Sequence, residues 1–205
     1  KYIKNIIIDF FSFKKNYFKT NHLWGFKIFI ATLPAVVVGF FVYEYLIDYF
    51  RNITVIAWSS IIFGIILFLA DRKNQSKKKW EDLNFWEVFV VGVFQVLAFI
   101  PGASRAGVTI TGARILNIKR ESAAVFSMLL SIPIITASLF LALISINNEN
   151  TSDFNLNGPI IATITSFITA LISIHFMMRI LKFTNFNIFI IYRIILGITL
   201  LTIYA

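Results

Sequence analysis

The residues best suited to chemistry lie in one short run, Pro101-Gly102-Ala103-Ser104-Arg105-Ala106-Gly107-Val108-Thr109, which interrupts an apolar stretch from Trp86 to Leu116. Proline cannot continue the incoming helix and glycine allows a tight turn, so Pro101-Gly102 breaks the segment in two. Ser104 is placed to cap the helix that follows, leaving the free N–H groups of that helix start as a site that favours an anion. Arg105 adds a guanidinium, whose fork of donors suits carboxylate or phosphate oxygens. Thr109 falls one turn after Arg105 on the same helix face, and Gly112 leaves room beyond it. The closest acids in sequence, Glu87 and Glu121, sit at the far ends of the two limbs. An arginine at hydrocarbon depth usually marks a functional site or a paired charge. Two readings therefore stand: Arg105 grips phosphates, or it pairs with a carboxylate on another helix and pins the hairpin.

The elements that position this run are membrane helices. Of the 205 residues 58% are hydrophobic and only 14% charged, and the mean hydropathy is +0.80. Soluble domains carry about 25% charged residues, so a soluble enzyme or a nucleic-acid binder is excluded despite the net charge of +9. With no cysteine, disulfides, thiolate metal sites and cysteine nucleophiles are excluded too. A bilayer core of about 30 Å needs roughly 20 apolar residues in a helix. Spans are expected at 26–43, 53–70, 121–146, 159–181 and 186–204, in an all-α polytopic bundle forming a single membrane domain. Residues 1–25, with Lys1, Lys4, Lys14, Lys15 and Lys19 against Asp9, form a basic connector.

The limbs flanking Pro101-Gly102 are each too short to cross. As one kinked span they would put Lys119-Arg120 outside and the acidic Asn147–Gly158 loop inside, against the preference of lysine and arginine for the cytoplasmic side. A re-entrant hairpin over 86–116, entering and leaving on the cytoplasmic side with Arg72, Lys73, Lys77, Lys78 and Lys79, satisfies every loop charge. Backbone at that depth requires burial in protein or contact with water, so the tip implies a polar cavity. Trp24, Trp80 and Trp86 suit interface positions. His175 and Arg179 are expected as a buried hydrogen-bond pair with a snorkelling arginine, and Arg193 as a residue packed against the bundle or a lipid headgroup. His22 is expected in solvent, and Pro34 and Pro133 as kinks inside spans.

The run from Pro101 to Thr109, with Gly112, Arg120-Glu121, Ala123-Ala124, Phe126-Ser127, the segment Ser127 to Pro133 and Ile191-Tyr192-Arg193, resembles the bacterial undecaprenyl-diphosphate phosphatase (bacitracin-resistance) family. The resemblance extends from about Phe26 to the end of the chain. It implies removal of the terminal phosphate of undecaprenyl diphosphate in carrier-lipid recycling for peptidoglycan synthesis, by a multi-pass protein of the bacterial inner membrane. In that reading Arg105 and Ser104 are catalytic, and Gly102, Ser104, Arg105 and Thr109 bind the lipid diphosphate. A divalent cation, Mg²⁺ or Ca²⁺, is implied as cofactor, with no ligand for it in this chain, and a homodimer stays open. Two departures matter: the signature's second serine is Ala106 here, and its glutamate-rich first signature, with a Pro-x-Ser-Ser and a histidine, is absent from the sequence. An N-terminal hairpin and a first span, the inverted counterpart of the 86–116 repeat, are accordingly expected to precede Lys1 and to complete catalysis. The rival functions are a transporter or flippase of a polyprenyl phosphate, since broken helices in inverted repeats also bind anions in transporters, and an assembly subunit in which Arg105 is a packing device.

Overall fold

A computed structural model describes residues 24–42, 52–72, 78–148 and 157–204. Most of the basic connector, His22 and most of the 147–158 loop lie outside these residues. Within them the chain is helical, with seven α-helices: α1 Trp24–Val42, α2 Ile53–Arg72, α3 Phe85–Val96, α4 Arg105–Ile115, α5 Arg120–Asn148, α6 Asn157–Phe183 and α7 Asn187–Tyr204. Five of them, α1, α2, α5, α6 and α7, are long and apolar enough to cross a membrane. Pro34 and Pro133 sit inside α1 and α5.

The two short helices, α3 and α4, are joined through the Leu97–Phe99 turn and Pro101-Gly102 into a helix-loop-helix. Asn84 caps α3 through a reciprocal pair: its Oδ1 accepts from the Glu87 N–H at 2.8 Å and the Glu87 carboxylate accepts from the Asn84 N–H at 2.9 Å. The helix tightens into a 3₁₀ turn at Leu97–Phe99 just ahead of Pro101, so the first limb ends its α-helix at Val96. The second limb, α4, closes on Asn117, whose φ of 60° is left-handed. The Ile118 N–H bonds back to the Ala113 carbonyl at 3.1 Å and the Asn117 N–H to the Arg114 carbonyl at 3.0 Å, satisfying the last carbonyls of the helix.

Both limbs return to one end of the molecule. The Lys119 N–H donates to the Lys78 carbonyl at 2.9 Å, Lys78 pairs with Glu87 at 2.5 Å, and Arg120 at the start of α5 pairs with Asp71 at the end of α2. Lys27, near the start of α1, donates to the Glu81 carbonyl at 2.5 Å at this same end. At about 1.5 Å per residue α3 and α4 are each roughly 16–18 Å long, a little over half of a ~30 Å hydrocarbon core. A segment that crossed would have put Lys78 and Lys119 on opposite faces.

The core is densest beneath the hairpin's mouth. Trp80 stacks on Phe126 with ring centroids 5.4 Å apart and planes 10° from parallel, while Trp24 tilts against it at 5.6 Å. Trp80 is 1% exposed, so its side chain does not face a lipid interface as expected: Phe126 and Trp24 pack against it. Trp86, by contrast, is 71% exposed. Backbones approach closely along α1 and α3, where a Cβ on Gly92 would come within 2.5 Å of the Ala31 carbonyl oxygen. Helix α6 is the opposite case, for no side chain from Pro159 to Arg179 is buried. His175 is therefore not half of a buried pair with Arg179. Both are exposed, and the His175 ring meets Phe176 edge-on.

Candidate functional site at the hairpin tip

The tip is built from three elements. The Ser59 hydroxyl of α2 donates to the Pro101 carbonyl, and Ser60 donates to the Gly102 carbonyl at 3.3 Å. Arg193 of α7 completes the clamp, its Nη2 donating at 2.8 Å to both the Gly102 and the Ala103 carbonyls. The backbone acceptors that re-entry exposes are thus satisfied by side chains, which is how irregular structure survives at this depth. Gly102 has φ +88°, and a Cβ there would strike Ser59 and the Ile56 carbonyl, so this position accepts no side chain.

Ser104 sits at φ 64°, an uncommon conformation for a serine, and its hydroxyl accepts from the Gly107 N–H at 3.3 Å. It is the expected N-cap of α4. Capping engages one N–H of the first turn and leaves those of Arg105 and Ala106 without an intrahelical acceptor. Ser104 and Ala106 are exposed and Arg105 is partly buried, so the helix start opens outward at its first turn. Thr109 is buried at 1% exposure: its hydroxyl lies 2.9 Å from the Arg105 carbonyl and 2.7 Å from the Ser127 hydroxyl of α5. It thereby ties the first turn of α4 to α5 behind the opening.

Charge is distributed unevenly over the tip. Among the described residues the ion pairs are Lys78 with Glu87 and Asp71 with Arg114 and Arg120, and neither Arg105 nor Arg193 belongs to one. The Nη1 atoms of both are enclosed and lack a hydrogen-bond partner among those residues. The second reading of Arg105, as a cation pinned to an acid, finds no carboxylate in the described structure. Arg193 lies against the same helix start, since a Cβ on Gly107 would stand 2.5 Å from its Nη1. Arg193 packs within the bundle, as one of its two expected placements had it, and its partners there are the tip carbonyls. Its fork is divided between the tip carbonyls and the first turn of α4.

The mid-helix placement of an arginine behind Tyr192 was the sequence signal for this residue, but 88 positions separate it from Arg105 and nothing local links them. Gln95 was missed as well. It is 1% exposed on the tip-side turn of α3, and neither amide atom has a partner among the described residues. The donors gathered here are guanidiniums, hydroxyls and amide N–H groups. They do not fit a divalent cation, which takes carboxylate or carbonyl oxygens, and no group of three or more acid or histidine side chains able to hold a metal occurs among the described residues.

These features define a multi-pass helical membrane protein with a helix-loop-helix whose tip gathers two arginines and, among the described residues, no carboxylate paired with either. The family model for bacitracin resistance protein BacA matches residues 1–199, and the chain belongs to that family. It is 39% identical over 180 residues to an undecaprenyl-diphosphatase of Jannaschia sp. (strain CCS1), covering 87% of this chain and 67% of that protein. It is 37% identical to one of Ruegeria sp. (strain TM1040), over 85% of this chain and 65% of that protein. An undecaprenyl-diphosphatase of Saccharophagus degradans is 34% identical over 200 residues, 96% of this chain and 74% of the relative. The chain spans about two thirds of the length of the curated relatives it matches.

Proposed function

We propose that this chain acts in a membrane phosphatase that hydrolyses undecaprenyl diphosphate to undecaprenyl phosphate and inorganic phosphate, recycling a carrier lipid for peptidoglycan synthesis at the bacterial inner membrane. The observation that carries the reading is the pair Arg105 and Arg193, each with an enclosed Nη1 at one helix start and neither paired with an acid among the described residues. A buried cation without a counter-ion is costly, and a lipid diphosphate supplies both the missing charge and a tail at home between apolar helices.

Hydrolysis adds one water across the P–O–P bridge, and negative charge accumulates on the departing and equatorial oxygens. Donors fixed in advance toward those oxygens stabilise the transition state more than the ground state. Arg105 and the first-turn N–H groups of α4 fill that role, and Arg193 supports them from α7. Ser104 holds the helix start open. Mg²⁺ or Ca²⁺, where it takes part, belongs on carboxylates other than the tip donors, and no step here is routed through it. The rival functions are separated by turnover. Detergent-solubilised full-length protein should release phosphate from undecaprenyl diphosphate and lose that activity in Arg105→Ala at an unchanged melting temperature. Lipid movement between the leaflets of sealed vesicles without phosphate release would overturn the reading in favour of a flippase.

A further inference from the structure

The elements that meet at the tip meet a second time at the hairpin's base, on a single carboxylate. Asp71 closes α2, and its side chain is 4% exposed. Its Oδ1 lies 2.9 Å from the Arg114 Nε of α4, and both its oxygens accept from the Arg120 Nε at 2.9 and 3.0 Å. Its Oδ2 also faces the Phe186 N–H, 3.4 Å away, at the start of α7. The Asp71 main-chain carbonyl takes a further bond from Arg114, at 3.2 Å.

Each arm of this node leads along a rigid helix to a residue of the site. At about 1.5 Å per residue, Arg114 stands roughly 13 Å from Arg105 along α4, Asp71 roughly 16 Å from Ser60 along α2, and Phe186 roughly 10 Å from Arg193 at the α7 end. A hydrogen bond at 2.8 Å does not survive a slide of one residue, ~1.5 Å. The two hydrogen bonds from Arg193 to the Gly102 and Ala103 carbonyls therefore require α2, α4 and α7 to hold one axial register.

We infer that Asp71 is a positioning residue: by locking the ends of α2, α4 and α7 together it sets how deep the hairpin sits, and so whether Arg193 and Arg105 face one ligand. This deepens the anion-site reading and rests on it for the catalytic readout only. A carboxylate retained merely to hold the bundle together would lower stability without altering the tip.

The test is a cycle between the two ends. In full-length protein, Asp71→Asn should lower kcat/KM for undecaprenyl diphosphate by about tenfold, and should lower it no further in an Arg193→Gln background, because the contact it maintains is already lost. Independently of turnover, a cysteine placed at the exposed Ala106 should change its rate of reaction with a water-soluble maleimide in Asp71→Asn. That rate should return toward the original value in Asp71→Glu. If Asp71→Asn fails to fold, Asp71→Asn combined with Arg114→Gln removes the buried charge pair together and takes its place. Additive losses in the cycle, or an unchanged labelling rate in a folded variant, overturn the inference. Absence of phosphate release from the parent protein with labelling still sensitive to Asp71 overturns the hydrolase reading and leaves the positioning role standing.

Discussion

The two ends of the hairpin handle arginine in opposite ways. At the base, Arg114 and Arg120 share Asp71, and Lys78 has Glu87. At the tip, Arg193 has backbone carbonyls, and the Nη1 of both Arg105 and Arg193 is enclosed without a partner among the described residues. Burial is not what separates them, since Arg114 at 2% exposure is the more enclosed. The contrast lies in the counter-charge. A protein that only needed to anchor its hairpin would finish both ends as it finished the base, and the proposed function accounts for the difference by giving the tip a ligand that brings its own charge.

Substitutions at the two ends should therefore part company. The largest effect is expected for Arg105→Ala, which should lower kcat/KM about 10³-fold with the melting temperature unchanged, measured by phosphate release and by thermal unfolding in detergent. Arg114→Ala should do the reverse, costing about 3 kcal/mol of stability because it strips a buried carboxylate of one partner, while kcat/KM of the folded protein falls by no more than the about tenfold expected from loosening the Asp71 node. Equal effects of the two on turnover would erase the distinction. Gly102→Ala should destabilise by about 1–3 kcal/mol, since alanine is strained at a left-handed φ and its methyl meets α2, and the loss should appear as reduced yield of folded protein. Gly107→Ala sharpens the comparison: its methyl displaces only the flexible end of Arg193, so kcat/KM should fall about tenfold with stability nearly intact. At the bottom of the scale, His175→Ala on the exposed face of α6 should stay within about 0.5 kcal/mol and leave turnover unaltered.

The tip was readable because its information is local. Proline, glycine, a capping serine and an arginine within five positions dictate a broken helix with a charged start, and the structure places Ser104 as that cap. The hairpin itself followed from limb lengths and from where lysine and arginine fall, both of which are properties of short windows. What escaped were partnerships between distant positions. Asp71 looks like an ordinary charge at a helix end until α4 and α5 deliver arginines to it. Trp80 looks interfacial because it stands between spans, and only the arrival of Phe126 encloses it. Arg193 could be flagged as an intramembrane ion, yet its partner carbonyls belong to a loop, and loops advertise no acceptors in a sequence.

The length of α3 and α4 carries a consequence for the lipid. A tip roughly 16–18 Å below one surface lies near the bilayer midplane, where bare phosphate finds no comfort in hydrocarbon. Under the proposed function the headgroup must travel inward with its hydration shell while the polyprenyl tail stays dissolved among the acyl chains. Exchange of product for fresh lipid then depends on a wetted passage as well as on affinity, and a bulky apolar side chain in that passage would slow turnover without touching either arginine.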